Sequence, residues 1–241
     1  PDMGQIRLLR IRIWLQTEYL IKQDILPFTA HAGSTLATSR ILPPALSSVA
    51  PPLVTVINQD LLEAAGTLFL QGHQVAVLNM ANAYSPGGGV RSGSGAQEEN
   101  LIRRSDIARF TMHCSNDLLY PLPRLSCLIS PGVTIFRGTE EDGYPMLDRP
   151  FVVTVISAAA LRKPVLTPSL AYRYTDDVDI MKAQIDMIIK SIRASGSTAA
   201  ALSAFGCGAY CNPPFVVAQM FLDACTQHAQ DIVTIKFCIL N

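Results

Sequence analysis

The chain has 241 residues, enough for one large domain, and 49% of them are hydrophobic, which predicts a substantial buried core. Nineteen basic and nineteen acidic side chains cancel, which excludes the diffuse positive field of a protein that grips duplex nucleic acid through many phosphates. A ligand with only a few phosphates stays open, because glycine-loop amides and helix N-termini bind anions without formal charge.

In chain order, Ile6 to Ile25 mixes apolar and basic residues at near-helical spacing, and Pro27, Pro43, Pro44, Pro51 and Pro52 then interrupt the pattern. We expect a helical or irregular extension over residues 1–52, packed on a core of residues 53–241. The start at Pro1-Asp2, with no initiator methionine, leads us to expect that upstream residues have been removed. From Leu53 the pattern sharpens into a strand (Leu53–Ile57), a helix (Asp60–Gln71, with Leu61, Leu62, Ala65 and Leu68 on one face) and a strand (Gln74–Asn79), a βαβ signature. A loop holding Gly87-Gly88-Gly89 follows, then a helix from Gln97 to about Arg109 with Glu98 and Glu99 in its first turn. Short strands are predicted near Val133–Phe136 and Phe151–Ile156. Asp176–Ala194 forms an amphipathic helix for which Asp176 or Asp177 is the expected N-cap. A small-residue strand (Thr198–Ala204), a second glycine loop (Gly206–Tyr210), a helix opened by Pro213 and Pro214, and a strand over Ile232–Leu240 complete the chain.

This alternation predicts an α/β fold, a mixed and mainly parallel sheet with helices on both faces. Ligands of such sheets sit beyond the carboxyl ends of the strands. Both glycine loops follow strands directly, so they are expected to meet at one crevice.

The remaining signals are bland. Cys114, Cys127, Cys207, Cys211, Cys225 and Cys238 form no CxxC pair and read as reduced core cysteines, which together with the absence of a signal-peptide layout fits an intracellular protein, cytoplasmic or nuclear. The four histidines lack ligand spacing, and His113 beside Cys114 reads as a surface or helix-end pair, so no metal site is expected. Apolar runs such as Phe151–Leu161 are too short to span a bilayer. Thr139-Glu-Glu-Asp-Gly143 reads as a solvated turn, and Arg103 and Arg104 as partners of Glu99 and Asn100 across one helical turn.

Asn79 to Asn100, with Gly87-Gly88-Gly89 followed after Val90–Ala96 by Gln97-Glu98-Glu99, resembles the signature of the microbial-type poly(ADP-ribose) glycohydrolases, a branch of the macrodomain superfamily. Ala204-Phe-Gly-Cys-Gly-Ala-Tyr-Cys-Asn-Pro-Pro214 resembles the diphosphate loop of that superfamily. The resemblance implies a macrodomain-like three-layer α/β/α core and hydrolysis of the ribose–ribose bond at the end of poly(ADP-ribose), with ADP-ribose or its polymer as partner, attached to protein or free, and no cofactor, metal or membrane. It assigns the acid/base role to Glu99 and substrate positioning to Glu98, roles that could be exchanged here. Cleaving a glycosidic bond needs a proton for the leaving oxygen and an activated water, and one carboxyl group can supply both in turn. By the same resemblance Asn82 bonds the terminal ribose, Gly87, Gly88, Gly89 and Val90 offer amides to ribose and phosphates beside Gln97, and Gly206, Cys207, Gly208 and Ala209 wrap the diphosphate. Tyr210 stands where the family usually has a phenylalanine that positions the ribose, keeping the ring and adding a hydroxyl. Read without the family, Asn82 holds a tight turn, Tyr210 is a packing aromatic and the two glutamates complement a helix dipole. The rival functions are an ADP-ribose reader with little turnover and a hydrolase of single ADP-ribosyl groups. A nicotinamide-dinucleotide oxidoreductase is disfavoured, since neither loop completes Gly-x-Gly-x-x-Gly with a following acid.

Overall fold

The computed structural model describes residues 2–25, 33–38, 51–113 and 119–240. Asp2 opens helix α1 (Met3–Lys22): its carboxylate accepts the Gln5 amide at 2.8 Å while the Gln5 side chain accepts the Asp2 amide, a reciprocal cap that satisfies two otherwise orphaned donors. One continuous helix therefore stands in the region expected to mix helix with irregular chain. Strand β1 (Thr35–Thr38) was not anticipated, and it pairs antiparallel with strand β4 (Ser126–Arg137). Pro27, Pro43, Pro44 and Cys114 lie outside the described residues.

Strand β2 (Leu53–Ile57), helix α2 (Leu61–Leu70) and strand β3 (Val75–Met80) fall where the hydrophobic pattern put them. Asp60 caps α2 by accepting the amides of Leu62 and Glu63, both at 3.0 Å. The expected helix from Gln97 to Arg109 is instead two pieces, α3 (Gln97–Arg104) and α4 (Ala108–Thr111). Ser105 turns extended and bridges Ile135, and Asp106 exchanges bonds with Thr134, donating its amide at 3.1 Å and accepting the Thr134 amide at 2.7 Å. Pairing with β4 outcompetes two more residues of helix there. The remaining elements are β5 (Met146–Ala158), α5 (Thr175–Ala194), β6 (Ala199–Leu202), α6 (Pro214–His228) and β7 (Thr234–Cys238). The β4 and β5 strands are twelve and thirteen residues long, well beyond the short strands expected. Helix α5 starts one residue earlier than its expected cap: Tyr174 is the N-cap, and Asp176 and Asp177 sit inside the first turn, where they complement the positive helix end instead.

Among the described residues all seven strands share one sheet in the order β1-β4-β5-β3-β6-β7-β2, parallel from β5 through β2 and antiparallel at β1 and β4. The βαβ reading of β2, α2 and β3 holds, with β6 and β7 lying between the two parallel strands. Alternation along the central strands supplies two cores. Ala76, Leu78, Ile156, Ala200 and Leu202 face α5 and α6, while Val75, Val77, Val155, Ala199 and Ala201 join the cluster containing Leu62, Leu68, Leu101 and Trp14.

Helix α1 closes the second core. Trp14 is 1% exposed and clusters with Val90, Leu101 and Ile102, and Thr17 donates to the Arg103 carbonyl at 2.8 Å. Among the described residues no helix is long and apolar enough to cross a membrane. Trp14→Ala is expected to cost about 3 kcal/mol or more by leaving a cavity under α3, measured as a fall in the midpoint of denaturant unfolding.

Candidate active site

Strands β3 and β6 are parallel neighbours, so the loops that leave their carboxyl ends emerge side by side. The first runs from Ala81 to Ala96 and the second from Ser203 to Pro213. Together they line a crevice of about 400 Å³ with Asn82, Gly88, Glu98 and Glu99 on one side and Gly206, Gly208, Ala209 and Tyr210 on the other. The expectation that the two glycine loops meet is met by the register of two strands.

The glutamates are buried, Glu98 at 4% exposure and Glu99 at 6%. Three amides of the first loop hold them. Asn82 donates to Glu98 Oε2 at 2.8 Å, Gly87 to Glu98 Oε1 at 3.2 Å and Gly89 to Glu99 Oε1 at 2.8 Å. The four amides from Gly87 to Val90, expected to face a ligand, are thus used within the protein, the other two bonding the carbonyls of Ser85 and Gly87. Gly88 has φ +50°, and a Cβ there would lie 2.5 Å from Glu99 Oε1 and 3.0 Å from Glu98 Oε2. Both carboxylates therefore converge on one glycine although adjacent helix positions diverge by about 100°. Glu99 Oε2 is buried and has no hydrogen-bond partner among the described residues.

Burial lifts Glu98 from the ordinary glutamate value of 4.5 to about 7, with the Asn82 amide opposing and the Glu99 charge adding to the rise. Near neutral pH the pair carries a proton for part of the time. The raised pKa belongs to Glu98 and the oxygen without a partner among the described residues to Glu99, so the two properties required of a general acid are divided between neighbours that interact.

The other expected residues sort by what they touch. Gln97 gives its whole side-chain amide to β3, accepting from Met80 at 2.8 Å and donating to the Leu78 carbonyl at 2.8 Å, which ties the start of α3 to the sheet. Asn82 Oδ1 accepts the amides of Tyr84 and Ser85, while its Nδ2 has no partner among the described residues. In the second loop the amides of Gly206, Gly208, Ala209 and Tyr210 have no partner among the described residues, and a Cβ at Gly208 would meet open space. That loop is the one with unused donors. The Cys207 thiol is raised to about 11 by burial and stays protonated. Tyr210 lines the crevice, its hydroxyl raised above the usual tyrosine range by burial and then by the Glu98 charge.

Several residues that position this site were not singled out in the sequence. Asn212 donates to the carbonyls of Leu161 and Gly206 at 2.8 and 3.0 Å and accepts from the Tyr172 hydroxyl at 2.9 Å, pinning the second loop. Arg104 reaches Asn100 as expected, but also Asp60 at 2.8 Å, which joins α3 to the cap of α2. Arg103 does not turn to Glu99; it donates to the Tyr144 hydroxyl and the Ser94 carbonyl. The solvated turn expected at Thr139–Gly143 is corrected at Glu140, which pairs with Arg10 at 2.6 Å and accepts from Tyr144. A nearby buried Arg103 gives this acid a reason to fold inward. Of the cysteines, Cys127, Cys225 and Cys238 are buried and free, whereas Cys211 is exposed. A second cavity of about 360 Å³ continues from the crevice, sharing Met80, Ala96, Gln97 and Gly208, and is lined further by Asp60, Ser203 and Leu240 from the ends of β2, β6 and β7. Strand order, unreadable from the sequence, brings those ends together.

Residues 16–138 match the family described as microbial-type PARG, catalytic domain. No curated protein sequence matches the chain. Among solved structures, poly(ADP-ribose) glycohydrolase (PARG) from Thermomonospora curvata is similar, at 25% identity and TM-score 0.73 over 95% of this chain and 92% of that one. The same enzyme bound to the inhibitor ADP-HPD gives 24% identity and TM-score 0.71 with the same coverage. PARG from Deinococcus radiodurans in complex with ADP-ribose gives 23% and 0.70, covering 88% of each chain. These likenesses agree with the mixed, mainly parallel macrodomain-like sheet.

Two measurements probe this geometry. Gly206 has φ +73°, and a Cβ there would lie 2.6 Å from Ala160 Cβ and from Asn212 Nδ2, so Gly206→Ala is expected to cost about 1.5 kcal/mol or more, against less than about 0.5 kcal/mol for Gly208→Ala, both by denaturant unfolding. Because Glu98 holds its proton more tightly folded than unfolded, its contribution to stability is full below about pH 4.5 and is lost as pH rises through about 7. The stability of Glu98→Gln relative to the unsubstituted protein should therefore improve between pH 5 and 8, by on the order of 3 kcal/mol, and thermal melts across that range check it.

Proposed function

The chain belongs to the family of microbial-type PARG catalytic domains, and from that membership we propose that it is a poly(ADP-ribose) glycohydrolase that releases ADP-ribose from chain ends with Glu99 as acid and then base. The observation that carries the assignment to Glu99 is its carboxylate: one oxygen is fixed by the Gly89 amide, and the other is buried, without a partner among the described residues, in a residue lining the crevice framed by both glycine loops. In the proposed reaction Glu99 gives its proton to the ribose oxygen of the departing unit as the bond from that oxygen to the anomeric carbon breaks. The oxocarbenium-like sugar is then attacked by a water from which Glu99 withdraws a proton, and the enzyme returns to its starting state.

Glu98 takes the positioning role. Both of its oxygens accept loop amides, which supports reading it as a wall for the ribose hydroxyls. The free amides of Gly208, Ala209 and Tyr210 suit the diphosphate, Asn82 Nδ2 suits a ribose hydroxyl, and the cavity beyond Gly208 takes the adenosine end. Free thiols buried in the core fit a reducing, intracellular setting.

Incubating the purified protein with poly(ADP-ribose) and resolving the products by chromatography should show ADP-ribose as the main product, and Glu99→Gln should lower kcat by about 10² to 10⁴. Undiminished turnover in that variant would reject Glu99. Tight ADP-ribose binding in calorimetry without any release would assign the crevice to recognition rather than cleavage.

A further inference from the structure

A third cavity, of about 440 Å³, opens on the opposite side of the glutamates from the adenosine cavity. It shares Asn82, Ala160 and Tyr210 with the central crevice and no residue with the cavity beyond Gly208. The order of the three follows the sheet: the first lies over the ends of β2, β6 and β7, the crevice over β6 and β3, and the third over the loop that leaves β5. The acids thus stand at the junction of two arms. A crevice built only for a terminal ADP-ribose needs one.

The chemistry of the second arm is specific. Arg124 and Arg162 line it, both exposed and neither with an ion-pair partner among the described residues. Leu122, Ile180 and Met181 give it an apolar lining, and the ring of Tyr84, 78% exposed, stands at its edge. Two exposed cations beside an apolar recess and an open aromatic ring match a purine nucleotide with a pyrophosphate. Tyr210 sits on the partition, with the charges of Glu98 and Glu99 and that of Arg162 all acting on its hydroxyl, and its carbonyl accepts the Lys163 amide at 2.8 Å.

We infer that this cavity is the subsite for the departing end of the polymer: the adenosine diphosphate portion of the next unit, whose ribose oxygen leaves the anomeric carbon, with its pyrophosphate held by Arg124 and Arg162. The inference rests on the glycohydrolase reading above. It makes the enzyme distinguish a chain from a lone ADP-ribosyl group by contacts on the leaving side. Loss of those contacts weakens chain capture and leaves bond cleavage untouched.

The test compares two substrates, poly(ADP-ribose) and an ADP-ribose carrying 4-nitrophenol on its anomeric carbon, whose leaving group is too small to reach the arginines. The double variant Arg124→Ala/Arg162→Ala is expected to lose about tenfold in kcat/KM on the polymer through KM, with the nitrophenyl substrate unchanged and an unaltered melting temperature. An equal loss on both substrates, or no loss on either, overturns the subsite. Cleavage of neither substrate by the unsubstituted protein overturns the glycohydrolase reading instead. The subsite is then judged by binding to Glu99→Gln, in which poly(ADP-ribose) should bind at least about tenfold tighter than ADP-ribose and lose that advantage when both arginines are removed; equal affinities overturn it.

Discussion

Two carboxylates buried side by side at one helix end are costly unless something bonds them, and here the amides of Asn82, Gly87 and Gly89 do so. Much else in the site follows from that requirement. The loop has to bring its main chain against the carboxylates, so position 88 has no room for a Cβ. Helix α3 has no side-chain cap at Ala96, and its positive end is complemented by the same two acids. Burial still lifts Glu98 to about 7 against the pull of these amides, and one Glu99 oxygen has no donor among the described residues.

Rigidity is supplied from outside the crevice. Arg7 donates to the Ser92 carbonyl at 2.8 Å, the Arg10 guanidinium packs on Gly95, and Thr17 bonds the Arg103 carbonyl, so α1 clamps the turn between the glycine loop and α3. Arg103 and Arg104, fully buried, extend the clamp to Tyr144 and Asp60. Their positive charges also lie at the carboxyl end of α3, where they suit its dipole. The second loop is held differently, with the buried carboxamide of Asn212 bonding the carbonyls of Leu161 and Gly206, and the amides of Gly206, Gly208, Ala209 and Tyr210 have no partner among the described residues. One loop spends its amides on the acids and the other keeps four without a partner among the described residues.

The sheet sets how the cavities line up. With β3 and β6 adjacent and parallel, their loops frame the acids. The strands on either side, β5 and β7, each bring a further loop to the same edge. The three cavities therefore form a row along one sheet edge.

Local pattern made most elements legible. Period-3.6 stripes marked α2, α5 and α6, near-continuous apolar runs marked β2 and β3, and Pro214 marked the start of its helix. The two glycine loops and the glutamate pair were also readable, because a Gly-Gly-Gly followed by Gln-Glu-Glu encodes both a main-chain approach and its acids within twenty residues. What failed depended on distant partners. Helix α3 stops at Arg104 because Ser105 and Asp106 pair with β4 some thirty residues on, β1 exists only because β4 offers it an edge, and Glu140 turns inward toward Arg10 and Arg103. Likewise the sequence by itself determined which residues could carry the chemistry, since residue type and spacing are local properties. Only the tertiary structure decided that the first loop's amides serve the glutamates rather than a ligand, and that arms of the crevice lie on both sides of them, because strand order and side-chain convergence are set by packing between segments far apart in the chain.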